Sequence, residues 1–369
     1  MMPTLSYLND VYFGWGILPK LSAVLDRYGV TNPLVVTDPV LRSMGVVDRA
    51  GLSKYPVFDR VETNPTEAGV LEASALYGSS SCDGLVGIGG GSSIDLAKAA
   101  ALMTGHGESL AGYAILEGGP ESITEDVPPI IAVPTTAGSG SEVGRAALVT
   151  VADGRKLGFL SPRLLPIAAV CDPELTATMP ASLSAATGMD AISHCVEAIL
   201  SPRENPVAET LAIDGLRRGS RAILQVVGSG ESKRGRVEMM WCSLLGGLAF
   251  QKGLGAVHSL SHPLGRLTGK RLHHGTLNGL FLPSVLRFNA SACREQMKIV
   301  SMAIGGADPV DFFEDLLNRL GLPRRLSEMG VTEEDLISSA PLAAADHCSS
   351  TNPRVFTEKD ALELYRTCL

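Results

Sequence analysis

Short runs of consecutive apolar residues punctuate the first half of the chain. "PLVVTD" (33–38), "GLVGIGGG" (84–91) and "IIAVPTT" (130–136) are apolar bursts that end in Asp, Gly or Thr. Strands without polar alternation are buried on both faces, the condition of a parallel sheet covered by helices. Such a sheet binds ligands at the carboxyl ends of its strands. From about Pro180 the pattern changes. "ASLSAATGMDAISHCVEAIL", "VAETLAIDGLRRGSRAILQVV" and "RVEMMWCSLLGGLAFQKGL" carry helical spacing and Ala/Leu richness with no intervening strand burst. The expected fold is an α/β domain with a Rossmann-like parallel sheet over 1–178, followed by an all-α domain over 179–369. The join, "CDPELTATMPASLS" (171–184), supplies two prolines and a Ser/Thr cluster that can start helices.

Composition narrows the function more than the fold. Across 369 residues, 45% are hydrophobic and 19% charged, and no apolar run reaches the length of about eighteen residues that a membrane span needs. The formal net charge of −8, with no basic stripe, argues against nucleic acid or an anionic membrane as partner and leaves small-molecule work. Seven scattered cysteines without a CxxC point to reduced thiols rather than a disulfide framework or a thiolate zinc site. The opening stretch "MMPTLSYLNDVYFGWG" has no basic segment leading into an apolar one, so a cytoplasmic enzyme is expected.

The chemistry begins at "VGIGGGSSIDLAKAA" (86–100), a strand, three glycines, two serines and a helix. Glycines let the backbone approach a ligand, and the helix behind them aims free N–H groups and its positive dipole end at that point, which makes a phosphate seat. A tight turn with no ligand would use the same residues. Asp38 closes an earlier strand, where an acid accepts from an adenosine ribose and repels a 2′-phosphate, favouring NAD over NADP. "IAVPTTAGSGSEV" (131–143) again ends a strand in hydroxyls and glycines, and Asn64 in "ETNPT" reads equally as an Asn-Pro turn or a cofactor contact.

Five of the seven histidines fall between 194 and 274. Asp190 and His194 share one face of an Ala/Ile/Val-rich helix, four residues apart, where a buried carboxylate must find a partner. An intrahelical Asp–His hydrogen bond would satisfy both. A second helix is expected to end in "AVHSLSHPLG", which adds His258 and His262 at the same spacing, with Pro263 expected to open the helix at His262, and "LHHGTLN" adds His273 and His274. One carboxylate and several imidazoles suit a divalent first-row metal with an open position.

Taken in order, "FGWG" (13–16), "GGGSSID" (89–95), "PTTAGSGSEV" (134–143), "DPELT" (172–176), "GMDAISH" (188–194), "VHSLSHPLG" (257–265), "HHGTLN" (273–278) and "TNPR" (351–354) resemble the iron-containing, group III alcohol dehydrogenases. The resemblance covers nearly the whole chain. It implies hydride transfer between NAD(H) and a small alcohol or aldehyde, with a dinucleotide-binding N-terminal domain, a helical metal-binding domain, and a homodimer or larger assembly. It makes Asp190, His194, His258 and His274 the ligands of a divalent metal, Fe2+ first and Zn2+ second. His262 then becomes a residue beside the substrate and nicotinamide that can relay the alcohol proton. Asp38, Asn64, Gly90, Gly91, Ser92, Asp95, Thr135, Thr136 and Lys156 fall on or near NAD-contacting positions. Gly144 and Arg145 depart from the family's usual residues. Arg145 could recognise an acidic group on the substrate as a bidentate donor, or be a solvated arginine or part of a structural ion pair. Relatives of other activity are maleylacetate reductases, which replace the Asp of "GMDAISH", and metal- and NAD-dependent lyases on the dehydroquinate-synthase-like scaffold. Retention of Asp190 speaks against the former.

Overall fold

A computed structural model describes residues 9–107, 109–228, 232–267, 269–270 and 272–369. The first eight residues of the N-terminal stretch, and Thr268 and Arg271 between His262 and His273, lie outside them. The chain divides into two units, one of residues 9–136 and 141–176, the other of residues 137–140 and 177–369.

The first unit is built on a six-stranded, all-parallel sheet in the order β1-β8-β5-β4-β2-β3. Its strands are β1 (Asp10–Phe13), β2 (Pro33–Val36), β3 (Val57–Phe58), β4 (Gly84–Gly89), β5 (Ile130–Pro134) and β8 (Ala168–Cys171). A hairpin of β6 (Ala146–Thr150) and β7 (Lys156–Leu160) stands apart. The apolar bursts read from the sequence are β2, β4 and β5, and every residue of the three is buried. Alternate side chains enter two cores. Leu34, Val36, Leu85 and Ile130 pack on one face, with α4 (Glu67–Ser79) and α5 (Gly91–His106). Val35, Val86, Ile88, Ile131 and Val133 pack on the other, with α1 (Leu21–Arg27) and α3 (Val46–Arg49). A short helix, α2 (Pro39–Ser43), follows β2 directly.

Strand order reverses around β2 and β4. The chain steps from β2 outward to β3, then returns to lay β4 on the other side of β2, with Val36 in register with Gly87. A crevice for a ligand opens at such a switch point, beyond the carboxyl ends of the strands.

Among its described residues the second unit is helical: α6 (Ala181–Leu200), α7 (Pro206–Gly228), α8 (Lys233–Ala249), α9 (Ala256–Leu264), α10 (His274–Asn289), α11 (Arg294–Ala303), α12 (Pro309–Leu320), α13 (Glu333–Ala344) and α14 (Glu358–Thr367). The central α6 is buried from Ser184 to Leu200 and packs against α7, α8 and α10. Small residues permit this closeness. A Cβ at Gly275 would lie 2.1 Å from the Ala186 carbonyl oxygen, so the first turn of α10 can sit on α6 only with glycine there. The 137–140 loop joins this unit for a similar reason. Gly140, at φ +64, would place a Cβ 2.5 Å from Gly247 Cα.

Two expectations for α9 need correction. "AVHSLSHPLG" does not end the preceding helix, because Gly253 at φ +115 breaks the chain and a separate nine-residue helix starts at Ala256. Nor does Pro263 open the helix at His262, which stays helical. The ring removes only the N–H that would reach Ser259, one turn from a helix that ends at Leu264, so little is lost.

Candidate metal centre

Asp190 and His194 project from one face of α6, His258 from α9, and His274 begins α10. Asp190 Oδ1 lies 3.9 Å from His194 Nε2, 3.8 Å from His258 Nε2 and 3.6 Å from His274 Nε2. Donors bound tetrahedrally at about 2.1 Å from a metal stand about 3.4 Å apart, close to these three separations; the donors of Asp190, His194 and His258 all lie within 4.8 Å of one another, and His274 approaches them through Asp190. His273 precedes α10 as its N-cap residue, and of the pair it is His274 that faces Asp190.

The donors also outnumber what surrounds them. Asn278, one turn along α10 from His274, points its Nδ2 at Asp190 Oδ1 (2.8 Å), His258 Nε2 (3.1 Å) and His274 Nε2 (3.1 Å), while its buried Oδ1 meets no partner. Once His258 Nε2 has given up its proton, one amide nitrogen has two hydrogens for these three acceptors. A buried cluster with surplus lone pairs and one carboxylate fits a divalent cation.

Charge behaves accordingly. Burial opposes the Asp190 carboxylate, yet the imidazoles of His194, His274 and His258 hold it well below the ordinary carboxylate range. Burial pushes His194 down to about 4. Burial also works against a charged His258, but Asp190 and Glu197 outweigh it and push the imidazole up to about 9.

Two further carboxylates steer these imidazoles, and neither was among the residues expected from the sequence. Glu197, buried on α6, accepts His258 Nδ1–H through Oε2 at 2.5 Å and the Val257 amide through Oε1 at 2.7 Å. This leaves His258 Nε2 to the centre, as second carboxylates beside metal-binding histidines commonly do. Its signal was a buried acid three residues after His194 on an apolar helix. Asp346 accepts from His262 Nδ1 at 2.9 Å and caps the turn His347–Thr351 through the Cys348 amide. Burial opposes its charge, but His262 and His347 hold the Asp346 carboxyl well below the ordinary range. His262 is stacked between His274 and His347, with ring centroids 5.3 and 5.8 Å away.

Both halves of the chain match one family. The "Iron-containing alcohol dehydrogenase" model matches residues 9–173, and the "Fe-containing alcohol dehydrogenase family, C-terminal" model matches residues 184–369. The chain belongs to the iron-containing alcohol dehydrogenase family. It is 47% identical to the 4-hydroxybutyrate dehydrogenase of Cupriavidus necator, over 97% of this chain and 98% of that one. Its fold matches that of a crystallographically determined 1,3-propanediol oxidoreductase with a TM-score of 0.93 at 34% identity, covering 100% of both chains. It also matches the sulfoacetaldehyde reductase of Bifidobacterium kashiwanohense in complex with NAD+, at a TM-score of 0.91 and 26% identity over 100% of this chain and 99% of that one. The chain is thus an oxidoreductase of a family that uses NAD and iron.

Within the first unit, Asp38, Gly90, Gly91, Ser92, Thr135 and Thr136 gather at the carboxyl ends of β2, β4 and β5. Gly90 caps α5 with no side chain over the helix N-terminus. Thr135 N–H donates to the Gly89 carbonyl at 2.9 Å, and the Ser92 hydroxyl holds the Thr63 carbonyl. Asn64 accepts from Lys156 Nζ at 3.0 Å. Asp38 also caps α2, its Oδ1 accepting from the Val40 and Leu41 amides. Asp95 is placed differently. Its oxygens accept from the Ser141 hydroxyl (2.6 Å) and the Leu148 amide (3.1 Å), so its carboxylate braces the 141–148 segment. Lys98, fully buried one turn on, donates to the carbonyls of Ser141, Gly144 and Ala146 in the same segment. Arg145 forms no ion pair among the described residues and is half-buried.

Proposed function

We propose that this protein oxidises the terminal hydroxyl of a short ω-hydroxycarboxylate of the 4-hydroxybutyrate type to the semialdehyde, or runs the reverse reduction, with NAD(H) and a divalent metal. The observation that carries the substrate class is the 47% identity, over nearly the full length of both chains, to a 4-hydroxybutyrate dehydrogenase. A structural neighbour that reduces an acidic aldehyde, sulfoacetaldehyde, supports the same class.

In this reading Asp190, His194, His258 and His274 hold the metal, Fe2+ in preference to Zn2+. Bound there, the metal supplies Lewis acidity toward the alcohol or carbonyl oxygen. One carboxylate and three neutral imidazoles would leave a divalent ion held there a net charge of about +1. Glu197 fixes His258 in the tautomer that leaves Nε2 to the metal. NAD, when bound, supplies the hydride acceptor; Gly90, Gly91, Ser92, Thr135 and Thr136 seat its phosphates, Asp38 its adenosine ribose, and Asn64 with Lys156 the adjacent edge. Asp95 contributes by bracing the loop. His262 receives the proton of the alcohol. Its Nδ1–H is spent on Asp346, so the neutral ring presents Nε2 as an acceptor. The net change is alcohol plus NAD+ to aldehyde plus NADH and one proton.

Arg145 is assigned to the substrate carboxylate, because its guanidinium has no acid of its own among the described residues. A homodimer or larger assembly in the cytoplasm completes the reading; the family resemblance supports the assembly, and among the described residues no helix is long and apolar enough to cross a membrane. The test is a comparison of 4-hydroxybutyrate with 1-butanol and 1,3-propanediol on the iron-loaded enzyme. A kcat/KM at least tenfold higher for the carboxylate is expected, and Arg145→Ala should erase that margin. Equal values for acid and neutral alcohols would remove the substrate class while leaving the dehydrogenase. Sustained NADH accumulation separates it from a lyase that recycles its cofactor.

A further inference from the structure

His262, Asp346, His347 and Cys348 form a second cluster beside the quartet, in which one donor atom from each residue lies within 4.8 Å of every other. They come from two elements packed on each other, α9 and the turn His347–Thr351. His262 Nδ1 stands 2.9 Å from Asp346 Oδ2, His347 Nδ1 3.6 Å from Asp346 Oδ1, and Cys348 Sγ 3.4 Å from His347 Nε2. The Cys348 thiol is buried, the His262 and Asp346 side chains are nearly so, and the His347 side chain is half exposed. Two imidazoles, a carboxylate and a thiol are the donor set of a tetrahedral site for a thiophilic d10 ion, and exclude the hard ions Mg2+ and Ca2+, which take oxygen ligands.

We propose that these four residues form a second, inhibitory binding site for Zn2+ or a similar thiophilic cation. Coordination deprotonates Cys348, and the thiol proton leaves to solvent. At His262 the ion replaces the Nδ1 proton, which moves to Nε2, so the ring no longer has a lone pair on the side from which it takes the alcohol proton. Asp346 keeps its bond to the Cys348 amide and offers the other oxygen to the ion. The inhibitory step rests on the role given to His262 above, whereas the binding step does not.

The test uses iron-loaded protein titrated anaerobically with Cd2+, following the thiolate-to-cadmium charge-transfer absorption, retained iron and NADH-forming turnover together. The expected result is one added Cd2+ per chain with a charge-transfer band, iron retained, and turnover lost in proportion to the band. Cys348→Ser should abolish the band, and His347→Ala should weaken Cd2+ binding at least tenfold, with inhibition in each variant judged against that variant's own turnover without Cd2+. Because His347 is half exposed, its replacement keeps the test valid if the serine variant folds poorly. Inhibition that tracks iron loss, or that is unchanged in both variants, overturns the proposal. A band that depends on both residues with turnover untouched establishes the site but overturns the inhibition and, with it, the role of His262.

Discussion

Glu197 Oε2 accepts the Nδ1 proton of His258 at 2.5 Å, and both side chains are buried within the same helical unit. The bond fixes which nitrogen of His258 turns toward Asp190. Glu197→Gln keeps the shape but removes the charge, and should weaken metal affinity roughly 10–100-fold. Equilibrium dialysis against Fe2+ or Zn2+ measures this; an affinity within twofold of the parent would remove Glu197 from the role.

Metal capture should also release a proton. In the metal-free protein His258 stays protonated up to about pH 9, while His194, pushed down to about 4, is already neutral at pH 7. A raised folded pKa binds the proton more tightly than the unfolded chain does. The metal-free fold is therefore stabilised below the ordinary histidine value, and that stabilisation is lost as pH rises toward 9. The metal competes with the same proton. Its affinity should fall by up to about tenfold for each pH unit below 9 and level off above, with close to one proton released per ion at pH 7. Calorimetric titration in buffers of different ionisation heat reads that proton directly.

His262 and Asp346 are separated by 84 residues, yet their 2.9 Å contact decides which imidazole nitrogen faces away. Asp346→Asn loses the carboxylate that holds Nδ1–H. It should lower kcat by roughly 10–100-fold while bound metal stays at one per chain. His262→Ala should behave alike, and His258→Ala should lose the metal. Loss of metal in the Asp346 variant would make its role structural only.

The α/β pattern was legible because β2, β4 and β5 are buried on both faces, which forces runs of apolar residues that no half-exposed strand would show. The approach of Asp190, His194, His258 and His274 to one another was expected from the family resemblance, while four-residue spacing marked only the Asp190–His194 pair within that set. Glu197 and Asp346 were not expected. Each contacts its histidine across more than sixty residues, so that even the acid on an apolar helix at Glu197 does not name its partner in the local pattern. Asp95 misled for a related reason, since its place on the helix behind the glycines is that of a cofactor contact, while its oxygens turn to Ser141 and Leu148. Pro263 showed that a rule about helix breaking weakens in a last turn, where few hydrogen bonds remain to lose.

Asp38 caps α2 and is proposed to meet the adenosine ribose, and one variant separates the two. Asp38→Gly removes the acid that disfavours a 2′-phosphate and also the side chain that accepts from the Val40 and Leu41 amides. The ratio of kcat/KM for NAD over NADP should fall at least tenfold, with a stability loss of only a few tenths of a kcal/mol because glycine is itself a tolerable cap. An unchanged cofactor ratio would leave Asp38 as a cap alone.

The most direct test of the whole account is turnover against metal content. Protein stripped of metal should form no NADH from 4-hydroxybutyrate and NAD+, and anaerobic addition of Fe2+ should restore the rate linearly up to one ion per chain, in the parent but not in His258→Ala. Full turnover in the stripped protein, or equal restoration in the His258 variant, would contradict hydride transfer at the Asp190, His194, His258 and His274 centre.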